Sequence, residues 1–278
     1  MGNVVITGAS SGIGAATALA LDQAGARVFA GVEREGDGAE TLAGASARLK
    51  RVTLDVTSDD SIASAFEFIA REAGDTGLTG VVNNAGVGFP APLEALPRDD
   101  LRRLLEINVI GQVAVTQAAL PLLRRGITGR VVFVGSIGGV LASQFAGSYH
   151  ASKFALEAVA DVWRQELDPE GIPVILIEPS TISTPIWDKA IAYLDALMAS
   201  DSTRIARYGK RLRSFRETLE SADEHGKDPF DVAEVIIEAL NTDKPDTRYV
   251  VGAGGRIATA LRPLIPDRLA DKLGERVT

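Results

Sequence analysis

Cysteine is absent from the 278 residues, and histidine occurs only twice, at His150 and His225. Such a chain has no disulfide framework and no thiolate chemistry. A zinc site is not expected either, with only two imidazoles and no thiolate to build it. Carboxylates alone leave magnesium open, but no metal is expected. Positive charge is also short: 29 Lys and Arg against 37 Asp and Glu give a net charge of -8. No nucleic-acid footprint is expected from that balance, which points instead to solubility. The apolar stretch 131–142 is broken by Gly135, Ser136, Gly138 and Gly139 and is too short to span a bilayer. No basic, cleavable leader precedes the first apolar segment, so a cytoplasmic protein with no transmembrane segment is expected, with peripheral membrane contact left open.

Of the residues, 46% are hydrophobic, enough for a substantial core in one large α/β domain or two small ones. Residues 3–7, Asn-Val-Val-Ile-Thr, read as a short buried strand. Gly8-Ala-Ser10-Ser11-Gly12-Ile13-Gly14 follows, and then the alanine-rich helical run 15–24. Strand, glycine turn and helix together make an anion site, because backbone N–H groups and the positive end of the helix dipole point outward there. The spacing Gly-x-x-x-Gly-x-Gly is not that of a P-loop, since no Lys-Ser/Thr follows.

Further strands are predicted at 26–32, 51–56, 79–83, 130–134, 173–177 and 248–252. Helices are predicted at 37–47, 59–73, 98–125, 149–168 and 229–241. This alternation predicts a parallel sheet with helices on both faces, with ligands bound beyond the carboxyl ends of the strands. At the end of the second strand lies Val32-Glu33-Arg34. Glu33 there would repel a ribose 2′-phosphate and Arg34 would attract one, which favours NAD and leaves NADP open. Asp55, followed by Val56, either meets an adenine amino group or is a helix-capping or turn aspartate near Ser58. Small residues at Asn84-Ala85-Gly86 leave room for a ligand. Asn108 sits in an apolar helical stretch, a poor place for an amide without a task. It either bridges two helices or holds a water leading to a lysine. Ser136 lies just past a strand end and is either a turn former or a catalytic hydroxyl. Residues 186–222 are polar and rich in Arg and Lys; they read as a helical lid or as a solvated helical pair. The tail at 257–273 has apolar helical spacing interrupted by Pro263 and Pro266.

Tyr149-His-Ala-Ser-Lys153 puts a phenol and an ammonium one helical turn apart. The ammonium is expected to lower the phenol's pKa. Bringing it down from ~10 by about three units takes roughly 4 kcal/mol, more than a partly solvated lysine supplies alone. A second positive charge, such as an oxidised nicotinamide ring, would help.

Taken in order, the glycine turn, Asn83-Asn84-Ala85-Gly86, Asn108, Ser136 and Tyr149-x-x-x-Lys153 resemble a short-chain dehydrogenase/reductase of ordinary length. The resemblance implies a Rossmann-type doubly wound sheet and hydride transfer between a nicotinamide and a small-molecule alcohol or ketone. It makes Tyr149 the general acid/base, with Lys153 lowering its pKa and holding the nicotinamide ribose. Ser136 would orient the substrate oxygen, and Asn108 would carry a relay water. The cofactor would meet Gly8, Ser10, Ser11, Gly12, Ile13, Gly14, Glu33, Asp55, Val56, Asn84, Ala85, Gly86, Pro179, Ile182 and Thr184. Ser180 departs from the glycine usual after Pro179. Residues 29–32, 248–252 and 264–269 are similar to the hydroxysteroid and retinol dehydrogenase branch. A lipophilic substrate would meet Phe89, Leu141, Phe145, Ile186 and Trp187, or these residues only pack the core and lid. The stripe Ala151, Ala155, Ala158, Val159 and Val162 either covers the sheet or meets another subunit, and the resemblance implies a homodimer or homotetramer. A non-catalytic nucleotide sensor or scaffold on the same fold is the competing function.

Overall fold

The computed structural model describes residues 2–200 and 202–252, together with 265, 266 and 268. Seven parallel strands form one sheet: β1 (Asn3–Ile6), β2 (Arg27–Val32), β3 (Leu49–Thr53), β4 (Gly80–Asn83), β5 (Val131–Val134), β6 (Val174–Pro179) and β7 (Arg248–Val251). All pairings are parallel, as the alternation of elements predicted, and the spatial order is β3-β2-β1-β4-β5-β6-β7. The chain runs outward from β1 in one direction and returns to β4 on its other side. That reversal opens a crevice at the carboxyl ends of β1 and β4. The central strands β1, β4 and β5 are buried at every position, which is why they read as short apolar runs, with the buried amides Asn3 and Asn83 at the ends of β1 and β4.

Each face of the sheet has its own core. One is built from Phe29, Phe66, Ile69, Leu123, Phe133 and Leu156. On it lie α2 (Asp59–Ala73), α4 (Gly111–Leu123) and α5 (Gly147–Leu167). The opposite core joins Ile6, Leu21, Val28, Val132 and Ile236, under α1 (Gly12–Gln23) and α9 (Pro229–Asn241). Helix α2 starts where the Ser58 side chain accepts the Ser61 N–H, with Asp59 and Asp60 favourable at its positive end. Helix α9 starts on the Asp228 carboxylate, with Pro229 in its first turn.

Four expectations need correction. Residues 37–47 form a succession of turns, because Gly36 and Gly38 take φ of 97° and 70°, which no helix tolerates. The expected helix at 98–125 is three pieces: α3 (Arg98–Leu105), a π turn over Glu106–Ile110 that contains Asn108, and α4. Among the described residues the stretch long and apolar enough by composition to cross a membrane is Arg98–Leu123, not 131–142. In the fold Leu104, Val115, Ala119 and Leu123 of this stretch are buried. Strand β6 runs on to Pro179, so Glu178 belongs to the sheet.

Beyond β6 come α6 (Ile186–Met198), α7 (Thr203–Ala206) and α8 (Gly209–His225). They enclose a third core of Leu194, Ile205, Leu212, Phe215 and Leu219. The helical spacing expected at 257–273 falls almost wholly outside the described residues.

Candidate active site

The glycine turn is shaped by steric need at each glycine. Gly8 has φ 63°, and a Cβ there would lie 2.8 Å from the Ala85 Cα. A Cβ on Gly14 would collide with the Gly8 carbonyl oxygen. One on Gly12 would come within 3.2 Å of Thr184. The turn is stapled to the end of β4: Thr7 Oγ1 accepts the Asn84 and Ala85 N–H groups at 2.9 and 3.0 Å. Asn84 Nδ2 donates back to the Thr7 and Gly8 carbonyls. Helix α1 then begins at Ser11 with no side-chain cap and no acidic residue in its first turn. The positive helix end therefore faces the crevice without an internal anion, and the close-packed glycines bring bare backbone to it. A dinucleotide pyrophosphate fits these residues. Ser10 and Ser11 stand at the lip of the turn, and Ile13 packs against the core below.

At the end of β2, Glu33 and Arg34 are both exposed and form a 3.4 Å ion pair. Asp55 Oδ1 accepts from the Thr57 N–H and hydroxyl, while Ser58 caps α2. Asp55 is thus a turn-forming residue and not the helix cap. Val56 is buried, and a Cβ on Gly111 would stand 2.5 Å from its carbonyl oxygen. Ala85 accepts at its carbonyl from Gln112 Nε2. Gly86 lies beside Asn108, whose Oδ1 is 3.5 Å from the position of a Gly86 Cβ. On the far side of the crevice Pro179 ends β6, Ile182 is buried, and Thr184 lies against Gly12. The chain thus brings the first glycine turn and the segment after β6 together, Gly12 meeting Thr184 across 172 positions of sequence.

Helix α5 carries Tyr149 and Lys153 one turn apart, as the spacing predicted. Lys153 is buried; its Nζ donates to the Val134 carbonyl at 2.8 Å and lies 5.7 Å from the Tyr149 ring centroid. Ser136 follows β5, accepts the Gly138 N–H at 3.0 Å and lies close enough to the Tyr149 phenol for its hydroxyl to favour the ionised ring. The expected lowering of the phenol's pKa is overturned in the protein by itself. Burial pushes the Tyr149 pKa up, and the Ser136 hydroxyl opposes this only in part. Burial also brings Lys153 down to about 8. The ammonium is committed to a backbone carbonyl, and desolvation outweighs its pull on the phenol.

Asn108 sits at the π turn, a local widening common at functional sites. Its Oδ1 accepts the Val87 N–H at 2.9 Å, and its Nδ2 donates to the Val87 carbonyl and to Ser152 Oγ, both at 3.0 Å. Ser152 in turn donates to the Tyr149 carbonyl at 2.7 Å. The amide therefore acts as the bridge the sequence allowed, tying the loop after β4 to the start of α5.

Two residues of the site have roles that their place in the sequence does not reveal. Thr7 is the staple described above. His150 Nδ1–H donates to the Gly138 carbonyl at 2.9 Å, leaving Nε2 to accept from Ser143 at 3.1 Å. Burial lowers its pKa, so the ring is neutral and clamps the loop that follows Ser136. The five apolar residues divide. Phe89 stacks on Tyr193 with centroids 5.1 Å apart, near the Tyr149 end of the site. Phe145 instead turns into the third core, edge-on to Tyr208 and Phe215, and holds φ 65° to do so. Trp187 packs on the same core, with its indole donating to the Ile182 carbonyl. Leu141 and Ile186 are half-buried.

The family described as short chain dehydrogenase matches residues 2–193. Mouse retinol dehydrogenase 16 is 36% identical over 276 residues, which cover 97% of this chain and 86% of that protein. Human 17-beta-hydroxysteroid dehydrogenase type 6 is 44% identical over 290 aligned positions, covering 96% and 86%. The 3-amino-tetrahydro-pyrrolizinone reductase of Xenorhabdus hominickii is 37% identical, covering 90% and 86%. Among solved structures, a Burkholderia phymatum short chain dehydrogenase/reductase in complex with NAD superposes with a TM-score of 0.77 at 25% identity, covering 94% and 91%. A Burkholderia cenocepacia short chain dehydrogenase in complex with NADP gives 0.72, also at 25%, covering 96% of each chain.

Proposed function

This chain belongs to the short chain dehydrogenase family, and from that premise we propose an NAD(P)-dependent oxidoreductase that moves a hydride between the nicotinamide and a lipophilic secondary alcohol or ketone. The observation that carries the reading is the convergence of Ser136, Tyr149 and Lys153 at the end of β5, across the crevice from the glycine turn. The nicotinamide supplies the hydride chemistry when bound.

The protein's own part is binding, orientation and a proton. The glycine turn and the start of α1 hold the pyrophosphate, and Thr184 and Ile182 hold the nicotinamide end. Ser136 and Tyr149 both bond the substrate oxygen, and Tyr149 takes or gives the hydroxyl proton at Oη. Lys153 holds the nicotinamide ribose and links Tyr149 to the route by which the proton leaves. Asn108 keeps that helix turn in place and is the proposed site of the relay water. A charge beyond Lys153 is needed to reverse the upward push of burial on the phenol, and an oxidised nicotinamide carries one. The proposed preference is NAD, because an acid at the end of β2 would repel a 2′-phosphate and Glu33 there already engages Arg34. A lipophilic substrate is supported by the Phe89–Tyr193 stack near the site and by the retinol and hydroxysteroid relatives. Helices α6 to α8 are the proposed cover over it.

Purified protein, offered retinoid, steroid and simple secondary alcohols with NAD or NADP, should produce reduced-nicotinamide absorbance, with NAD preferred. Tyr149→Phe should lose most of kcat and keep cofactor binding; near-full activity in that variant refutes the assignment.

A homodimer or homotetramer is also proposed. Ala151, Ala158 and Val162 of the expected stripe are exposed and lie beside exposed Phe154, while Val159 packs inward on the core. Light scattering that finds only monomer removes this part.

A further inference from the structure

The ridge of α5 does not stop at the catalytic pair. At four-residue steps it carries Tyr149, Lys153, Glu157 and Asp161, and the last two face into a charge cluster behind the site. Glu157 Oε2 accepts from Arg248 Nε of β7 at 3.1 Å. Asp161 Oδ1 accepts from Arg248 Nη2 and Arg164 Nη2, both at 2.9 Å. Glu178, 2% exposed, lies on β6 two residues beyond the Leu176 that pairs with Arg248, within reach of the charges of Glu157 and Arg248. Three carboxyls thus meet two guanidiniums, and Arg164 pairs with Asp161 alone. Moreover, Glu157 Oε1 is buried with no donor reaching it among the described residues. An acceptor so placed calls for an O–H, and the neighbouring group able to supply one is a protonated carboxyl.

We infer that Glu178 is a positioning residue for the proposed reaction: as a neutral acid it donates a hydrogen bond to Glu157 and so fixes the Lys153 turn of α5 against the ends of β5 and β6. The geometry reaches the catalytic groups directly. A Cβ on Gly139, in the turn after Ser136, would lie 3.0 Å both from Glu157 Oε1 and from the Lys153 carbonyl oxygen. Glu178 itself precedes Pro179 and the segment that leads to Ile182 and Thr184. Burial, the Glu157 charge and the carboxyl–carboxyl bond together raise the Glu178 pKa to about 7, while Arg248 pulls the other way. When that proton leaves, two carboxylates confront each other out of water, and the turn that carries Lys153 loses its tie. The other titrating groups nearby are Lys153, brought down to about 8, and His150 on the far side of the Gly138 turn, already neutral.

This rests on the oxidoreductase reading, so its test has one arm that needs no turnover. Infrared difference titration between about pH 5.5 and 8.5 should show a protonated-carboxyl C=O band in the wild type that disappears near neutrality. The band should be missing from Glu178→Gln. A band that persists in that variant, or none in the wild type, overturns the inference whether or not the enzyme turns over. In the second arm, Glu178→Gln keeps an N–H donor that cannot titrate, whereas Glu178→Ala has none. Near pH 6 the glutamine variant should retain kcat and the alanine variant should lose about tenfold, and the fall in kcat as pH rises past 7 should vanish in both, leaving Glu178→Gln high and Glu178→Ala low throughout. Equal damage in both variants, or an unchanged pH profile in Glu178→Gln, refutes the positioning role.

Discussion

Replacing Lys153 with methionine should abolish turnover and yet stabilise the protein at neutral pH. The ammonium is buried, and burial brings its pKa from 10.5 to about 8. Such a drop means that keeping the charge in the folded state costs about 3 kcal/mol below pH 8. Methionine matches the length of the side chain without the charge, but it leaves the Val134 carbonyl without its donor. An unsatisfied buried acceptor costs about 1–3 kcal/mol. The balance at pH 7 is a gain of about 1 kcal/mol, or roughly 2 °C in Tm for a chain of this size.

The sign with pH sharpens the test. Between 8 and 10.5 the unfolded chain holds the lysine proton and the folded chain has released it, so wild-type stability rises with pH there. By about pH 9.5 the wild type should have recovered about 2 kcal/mol that Lys153→Met cannot recover, and their order of stability should reverse. Urea denaturation followed by Trp163 and Trp187 fluorescence at the two pH values measures both. Should Lys153→Met be the less stable protein by the same margin at each pH, the lysine is not a desolvated charge and the reasoning fails.

Two further outcomes follow from the same geometry. Gly14→Ala should open the glycine turn, because its Cβ meets the Gly8 carbonyl oxygen and comes 2.5 Å from Asn84 Nδ2; a loss of about 1–3 kcal/mol in urea and a weakened reduced-nicotinamide fluorescence signal are expected. Asn108→Ala strands both polar groups of the Val87 backbone and the Ser152 hydroxyl, so it should cost about 2–4 kcal/mol and speed hydrogen exchange at the Val87 amide; a change under about 0.5 kcal/mol would deny the amide its bridging role.

Much of the fold was legible because local chemistry and tertiary packing agree. Helices α2 and α9 fall on the residues expected, each marked by a capping side chain at its start. The buried strands β1, β4 and β5 announce themselves as apolar runs too short for anything else. The turns at 37–47 misled because their polar sequence has no helix breaker except Gly38 and Gly44, and only Leu42 finds a core. The π turn was invisible: Glu106–Ile110 keeps helical spacing, and nothing in it signals an extra residue per turn. Phe145 could not be aimed from sequence, since its direction depends on a left-handed backbone imposed by partners at 208 and 215.

The pKa reversal at Tyr149 and Lys153 exposes a deeper limit. Spacing gives the distance between two charged groups, but their titration is governed by what surrounds both, and burial is a property of the whole fold. Here the same burial that raises the phenol lowers the amine, so the two drift toward a state in which neither carries charge. A pair in that condition responds strongly to any third charge brought into the crevice, because the medium that disfavours isolated charge also screens it poorly. Ser136, Tyr149 and Lys153 are therefore better described as a site whose proton affinity is set by its ligand than as one carrying a permanently acidic phenol. The cluster of Glu157, Glu178 and Arg248 extends that logic one helical turn further, where desolvation again decides which group keeps its proton.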